Sequence, residues 1–292
     1  MLSLNPQLSI PIHKLFRVAS SQKTDPEILV GLLSPGKNSW VRNIVCKNPS
    51  TPIAPVLTLL QECLLKRVAI SQLLLLNPSP ITAICLEKED LDTLVQSIAQ
   101  HPLLPINYQE KLSHDSSFYV RTGVAKNPST APKILEKLSR DKSNKVRIAV
   151  ASNPKTPYKI LISLVKGSNT PLKISLARNQ NLPKRLSFLL QDEPSTTVRY
   201  HLAQNQHADK KTLTFLSKAP ERFVRERVAA NPKTPSSVLE KLLKERSTRI
   251  RRAVINNLST PTSILLTAQS KRKIPKTLED SFRERIGESI NL

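Results

Sequence analysis

The sequence predicts an all-α fold, a right-handed curved α-solenoid (superhelix) of about ten two-helix repeats. Three observations carry that expectation. The run Val120-Arg-Thr-Gly-Val-Ala-Lys-Asn127-Pro-Ser-Thr returns at Val146 to Thr156 and again at Val224 to Thr234. The marker residues Asn127, Asn153, Asn179, Asn205, Asn231 and Asn257 stand 26 apart. On both sides of each marker the apolar residues recur at intervals of three and four, the period of a helix with one buried face.

Each element follows from local chemistry. Val120, Val124 and Ala125, then Val146, Val150 and Ala151, place an apolar stripe on a first helix. The marker Asn reads as a left-handed C-cap, and Pro128, Pro154 or Pro232 directly after it stops the helix. Thr156-Pro157, Thr234-Pro235 and Thr260-Pro261 read as an N-cap hydroxyl followed by Pro at the first helical position. A second helix follows, with its stripe at Ile134-Leu135-Leu138, Ile160-Leu161-Leu164 and Val238-Leu239-Leu242. Upstream the marker degenerates to His101, Asn77, Asn48 and Ser21. The acidic segment 86–93 is expected to interrupt the stack, and 35–39 to form a turn rather than a phosphate loop.

The pattern V-R-x-x-V-A-x-N-P-x-T-P-x-x-x-L-x-x-L, clearest in residues 115–268, resembles the leucine-rich repeat variant family. That resemblance implies repeats pairing a helix with a second, often 3₁₀, helix in a superhelix. The chain is also similar to HEAT-like repeats, in which an acid stands six residues before the Arg. Here Asp115, Asp141, Glu193 and Glu245 stand six before Arg121, Arg147, Arg199 and Arg251. The iron–sulfur cluster of the variant-repeat family is not implied, because Cys46, Cys63 and Cys85 form no matching group. Such repeats serve many partners, so the motif speaks for fold rather than function.

Composition narrows the function. Of the residues, 39% are hydrophobic, enough for a packed core, while five Gly and 4% aromatics exclude Gly-rich nucleotide loops and broad base-stacking platforms. The three Cys contain no CxxC pair, and the five His are scattered, so no metal, no cofactor and no enzyme activity is expected. No run approaches the roughly 18 apolar residues of a transmembrane helix, and Met1 to Pro6 lacks a secretory pattern, so a cytoplasmic location is expected.

Charge is the strongest functional signal. The chain carries 45 Lys+Arg against 22 Asp+Glu, and residues 119–292 hold 35 of the cations with 13 of the acids. Three regions are therefore expected: near-neutral degenerate repeats over 1–118, strongly basic regular repeats over 119–268, and a basic tail or cap over 269–292. On a wheel of about 100° per residue, the Arg of each Val-Arg falls inside the apolar arc. Arg121, Arg147, Arg199 and Arg251 are therefore expected to form structural ion pairs with Asp115, Asp141, Glu193 and Glu245. Lys126, Lys145, Arg178, Arg227, Arg249 and Arg252 on first helices, and Lys133, Lys159, Arg185 and Lys211 on second helices, face outward as candidate nucleic-acid contacts.

A scaffold holding phosphate backbones through those residues is the leading expectation, and the shortage of aromatics favours a duplex or structured nucleic acid over single strands. An adaptor for an acidic protein is the alternative. Anionic membrane binding through the tail 270–276 is the third, and no small-molecule substrate is expected.

Overall fold

Helices of seven to nine residues do not persist alone in water, so each must bury its stripe against neighbours. The computed structural model describes residues 12–34, 39–76, 91–165, 169–270, 274 and 276–290. Among them every regular element is helical, in repeated pairs. The chain divides into two compact units, 1–155 and 156–292.

In the first unit, α1 (Ile12–Ser20), α2 (Pro26–Leu32) and α3 (Ser39–Val45) precede the long α4 (Ile53–Leu76). Then come α5 (residues 91–99), α6 (Ile106–Leu112), α7 (Phe118–Lys126), α8 (Pro132–Leu138) and α9 (Asn144–Ser152). The nine-residue marker helices α7 and α9 pack directly on each other. Val120, Val124, Val146 and Val150 are fully buried between the layers. Ala125 and Ala151, two before each marker, are buried too, and a methyl side chain there lets the helix axes approach.

The second unit repeats the plan. Marker helices α11 (Thr170–Arg178), α13 (Thr196–Gln204), α15 (Arg222–Ala230) and α17 (Thr248–Asn256) stack in succession. The second helices α10 (Tyr158–Val165), α12 (Lys184–Leu190), α14 (Lys210–Leu216), α16 (Ser236–Leu243) and α18 (Thr262–Ser270) lie beside them and touch one another far less. A 3₁₀ turn (Lys276–Leu278) and α19 (Glu279–Ile290) close the unit, burying Leu278 and Phe282, with α19 packed on α17.

Three expectations are corrected. The span before Asn77 is one 24-residue helix rather than the two of a regular repeat. Residues 56–76 contain no Pro, Gly or Asn to break it. The marker Asn is not left-handed: Asn127, Asn153, Asn179, Asn205, Asn231 and Asn257 have φ between −60° and −75° and ψ between 116° and 131°. At Asn127, Asn153 and Asn231 the following Pro disfavours the helical region for its predecessor, and the extended backbone aims the Asn127, Asn153, Asn205, Asn231 and Asn257 side chains across to the neighbouring repeat. Nor do the Thr234 and Thr260 hydroxyls cap the second helix. Thr130, Thr234 and Thr260 donate backward to the carbonyls of Val124, Val228 and Val254, closing the end of the marker helix.

Segment 86–93 is helical from residue 91, and its earlier residues, like 35–38 of the turn expected over 35–39, Asn77, Cys85 and most of 271–275, lie outside the described residues, while Ser39 begins α3. Cys46 and Cys63 are buried free thiols. Burial, reinforced by Cys63, pushes the Cys46 thiol up to about 12. No helix among the described residues is long and apolar enough to cross a membrane.

Candidate functional site

Two ladders hold the repeats in register and so fix the exposed columns. In the first, the marker amide joins neighbours: Asn153 Nδ2 donates to the Ala125 and Asn127 carbonyls at 2.7 and 2.8 Å, while its Oδ1 accepts the Lys155 N–H. Asn205, Asn231 and Asn257 repeat this geometry in the second unit. His101 stands at a marker position and is fully buried. Its Nδ1 accepts the Leu103 N–H, which leaves the proton on Nε2, 3.1 Å from the Thr51 carbonyl. Burial depresses its pKa, so the ring is neutral.

The second ladder is ionic, and it runs one repeat out of step with the sequence expectation. Arg121 Nη1 donates to the Asp115 and Ser116 backbone carbonyls, while its Nε meets the Asp141 carboxylate at 2.7 Å. The acid six before one Arg thus serves the Arg of the preceding repeat, since six back plus one period of 26 is twenty forward. Lys173–Glu193 at 2.8 Å and Arg225–Glu245 at 2.8 Å obey the same rule, although neither cation has an acid six residues before it. Arg199 departs from it, because Ala219 occupies the twenty-forward position and Glu221 substitutes at 2.6 Å. Asp115 is held by Arg67 of α4, which also meets Asp92 at 3.0 Å.

Arg147 reaches Asp141 only through its backbone carbonyl, and Gly167 occupies its twenty-forward position. Arg251 donates to the Arg246 carbonyl and has Lys271 at that position. In sequence, the acid column is interrupted after Arg147 and again after Arg199, where Glu221 substitutes, and ends after Arg251.

The outward cations occupy both helix layers. In the first unit Lys126 and Lys145 are exposed on marker helices and Lys133 on α8. In the second unit Arg178, Arg249 and Arg252 are exposed on marker helices, and Lys159, Arg185 and Lys211 on second helices. Among the described residues none of these nine lies within 4 Å of a carboxylate. Arg227 differs: it is half-buried, with its guanidinium 5.4 Å from the centre of the Tyr200 ring and 3.9 Å from Glu226. Because the ten divide between two layers, no single surface carries them all.

Four of the scarce aromatics, which composition alone discounts, form clusters on marker helices beside these cations, while Tyr158, Phe188 and Phe215 stand exposed on second helices. In the first unit the Phe118 and Tyr119 rings lie 4.1 Å apart, and the Lys145 ammonium sits 4.9 Å from the Phe118 centre. In the second unit Tyr200 contacts Phe223 at 6.0 Å and His201 at 5.2 Å. Burial and the nearby Arg178 charge lower the His201 pKa. Arg178, His201, Gln204 and His207 line a polar cleft of about 450 Å³ there. A signal for these groups exists in the repeat register: Tyr119, Lys145, Phe223 and Arg249 all stand eight before their markers.

No family model matches the chain, and no curated protein matches it. Among solved structures it is similar to one described as a leucine-rich repeat variant with a novel repetitive protein structural motif. That similarity has 19% identity and a TM-score of 0.43, covering 83% of this chain and 85% of the other.

Proposed function

We propose that the chain is a non-enzymatic, cytoplasmic repeat scaffold that binds the phosphate backbone of nucleic acid through the outward cations of its helix layers. The observation that carries this reading is the set of nine exposed cations without acid partners among the described residues. Of the ladder cations, Arg121, Lys173, Arg199 and Arg225 are by contrast matched by acids in structural pairs. Exposed ammonium and guanidinium groups gain from phosphate by releasing its condensed counterions, and this needs no base-reading motif. Marker-helix residues Lys126, Lys145, Arg178, Arg249 and Arg252 are the leading contacts, because in each unit an aromatic cluster lies on the marker helices.

The test is competition at one salt concentration among heparin, duplex DNA, RNA, anionic vesicles and a polyglutamate peptide for the purified protein. Preferential binding of DNA or RNA over polyglutamate at equal charge supports the proposal. Preference for polyglutamate turns the reading to an adaptor for an acidic protein, and preference for vesicles to a membrane-surface protein.

A further inference from the structure

The first unit holds a cleft of about 360 Å³ across the exposed face of α5, α7 and α9. Beside it Gly123 of α7 packs on α5, where an added Cβ would stand 2.5 Å from the Gln96 carbonyl oxygen. No larger residue fits there without moving backbone, so α7 lies close against α5. Tyr119 is 45% exposed, which leaves ring surface open to a ligand. Lys145 and Lys126 line the same cleft, and among the described residues neither has a carboxylate within 4 Å. Nearby Lys47 has its pKa lowered by burial and then by repulsion from Lys126, so a third cation stands within electrostatic reach of the cleft.

We propose that this cleft takes one unpaired base of a single-stranded nucleic acid, stacked on Tyr119, with the adjoining phosphate held by Lys126 and Lys145. The inference rests on the nucleic-acid reading above and deepens it, while reversing the preference for duplex that the low aromatic content suggested. A planar π face suits the aromatic wall, and a monoanionic phosphate suits the two ammonium groups. A nucleotide carries both on one short tether. A base inside a duplex has its faces covered by neighbouring pairs, so only an unpaired base can present one to Tyr119.

The experiment titrates the full chain into a single-stranded oligonucleotide carrying one 2-aminopurine, and into the same oligonucleotide annealed to its complement. Stacking on the Tyr119 ring quenches 2-aminopurine in a way that depends on that ring, whereas any change from rearranged base stacking on phosphate contact does not. Tyr119→Ala is expected to weaken single-strand binding roughly 5- to 100-fold, with loss of the fluorescence change, while duplex affinity moves by less than about twofold. Tyr119→Phe should restore both, and Tyr119→Leu, which keeps apolar bulk without a ring, should restore neither. Equal weakening of single strand and duplex by Tyr119→Ala overturns the inference and leaves the backbone reading standing, as does binding without any fluorescence change. Absence of binding to either form at about 50 mM salt overturns both.

Discussion

Replacing Asn231 with Gly separates two roles for the marker residue that predict opposite signs. In a left-handed C-cap, Gly is the preferred residue and the change would be neutral or stabilising. Asn231 instead has φ −75° and ψ 126°, which any residue adopts. Its side chain is 3% exposed and makes three hydrogen bonds: to the Ala203 carbonyl at 2.8 Å, to the Asn205 carbonyl at 2.9 Å, and from the Lys233 N–H at 2.9 Å. At about 0.5–1.5 kcal/mol net for each bond, with about 0.5–1 kcal/mol more for the freedom Gly gains on unfolding, Asn231→Gly should destabilise by roughly 2–5 kcal/mol. Asn231→Asp should do no better, because it keeps the acceptor but turns a carboxylate toward two carbonyls. Urea unfolding followed by circular dichroism is the assay, with the midpoint and the slope read together. A loss of slope would report that the repeats on either side of the substitution unfold separately. An unchanged or raised midpoint for Asn231→Gly would refute the inter-repeat brace.

The ionic ladder gives an unequal pair of outcomes in the same assay. Arg121→Ala strands the Asp141 carboxylate, 9% exposed, and should cost about 3–5 kcal/mol, whereas Arg147→Ala loses bonds to neutral oxygens only and should cost about 1–2 kcal/mol. Burial alone would raise the Asp141 pKa, but the Arg121 hydrogen bonds and charge outweigh it and hold the pKa below the ordinary value. The stability from that pair is therefore fully present above about pH 4 and is lost as pH falls through the depressed value, a dependence that Arg121→Ala should abolish. His101 acts in a higher window: its folded pKa is lowered, so stability is full above about pH 6.5 and declines below it by up to about 1.4 kcal/mol per pH unit. His101→Asn should remove that share of the decline and leave the share due to His201, as read from urea midpoints between pH 7.5 and 5.5.

The regular part of the fold was legible because its signal is a repeat. The 26-residue period fixes where marker helices begin and end, and the described helices from α7 to α18 follow it. Where the period weakens the reading failed, at α4, since an unbroken apolar run can be one long helix or two and only the neighbours decide. The ladder acids were visible, but their partners were not. Spacing along one chain suggests a contact within a repeat, while stacking offers the same acid to the preceding repeat, as Lys173–Glu193 and Arg225–Glu245 reveal. The aromatic–cation clusters were hidden for a related reason. Composition counts Phe118, Tyr119, Tyr200 and Phe223 as rare, and says nothing of the pairing of Phe118 with Tyr119 in the first unit or of Tyr200 with Phe223 in the second.

The salt dependence of binding to a random-sequence duplex tests the electrostatic proposal most directly, measured by fluorescence anisotropy between about 50 and 300 mM salt. A plot of log affinity against log salt is expected to fall with a slope of about −5 to −8, equivalent to roughly six to nine neutralised phosphates. Reversing Lys126, Arg178, Arg249 and Arg252 together, all exposed and without acid partners among the described residues, should flatten that slope by about three to four while leaving the thermal midpoint nearly unchanged. No binding at the lowest salt, or a slope near zero that the fourfold reversal does not alter, would contradict the assignment of these cations to phosphate.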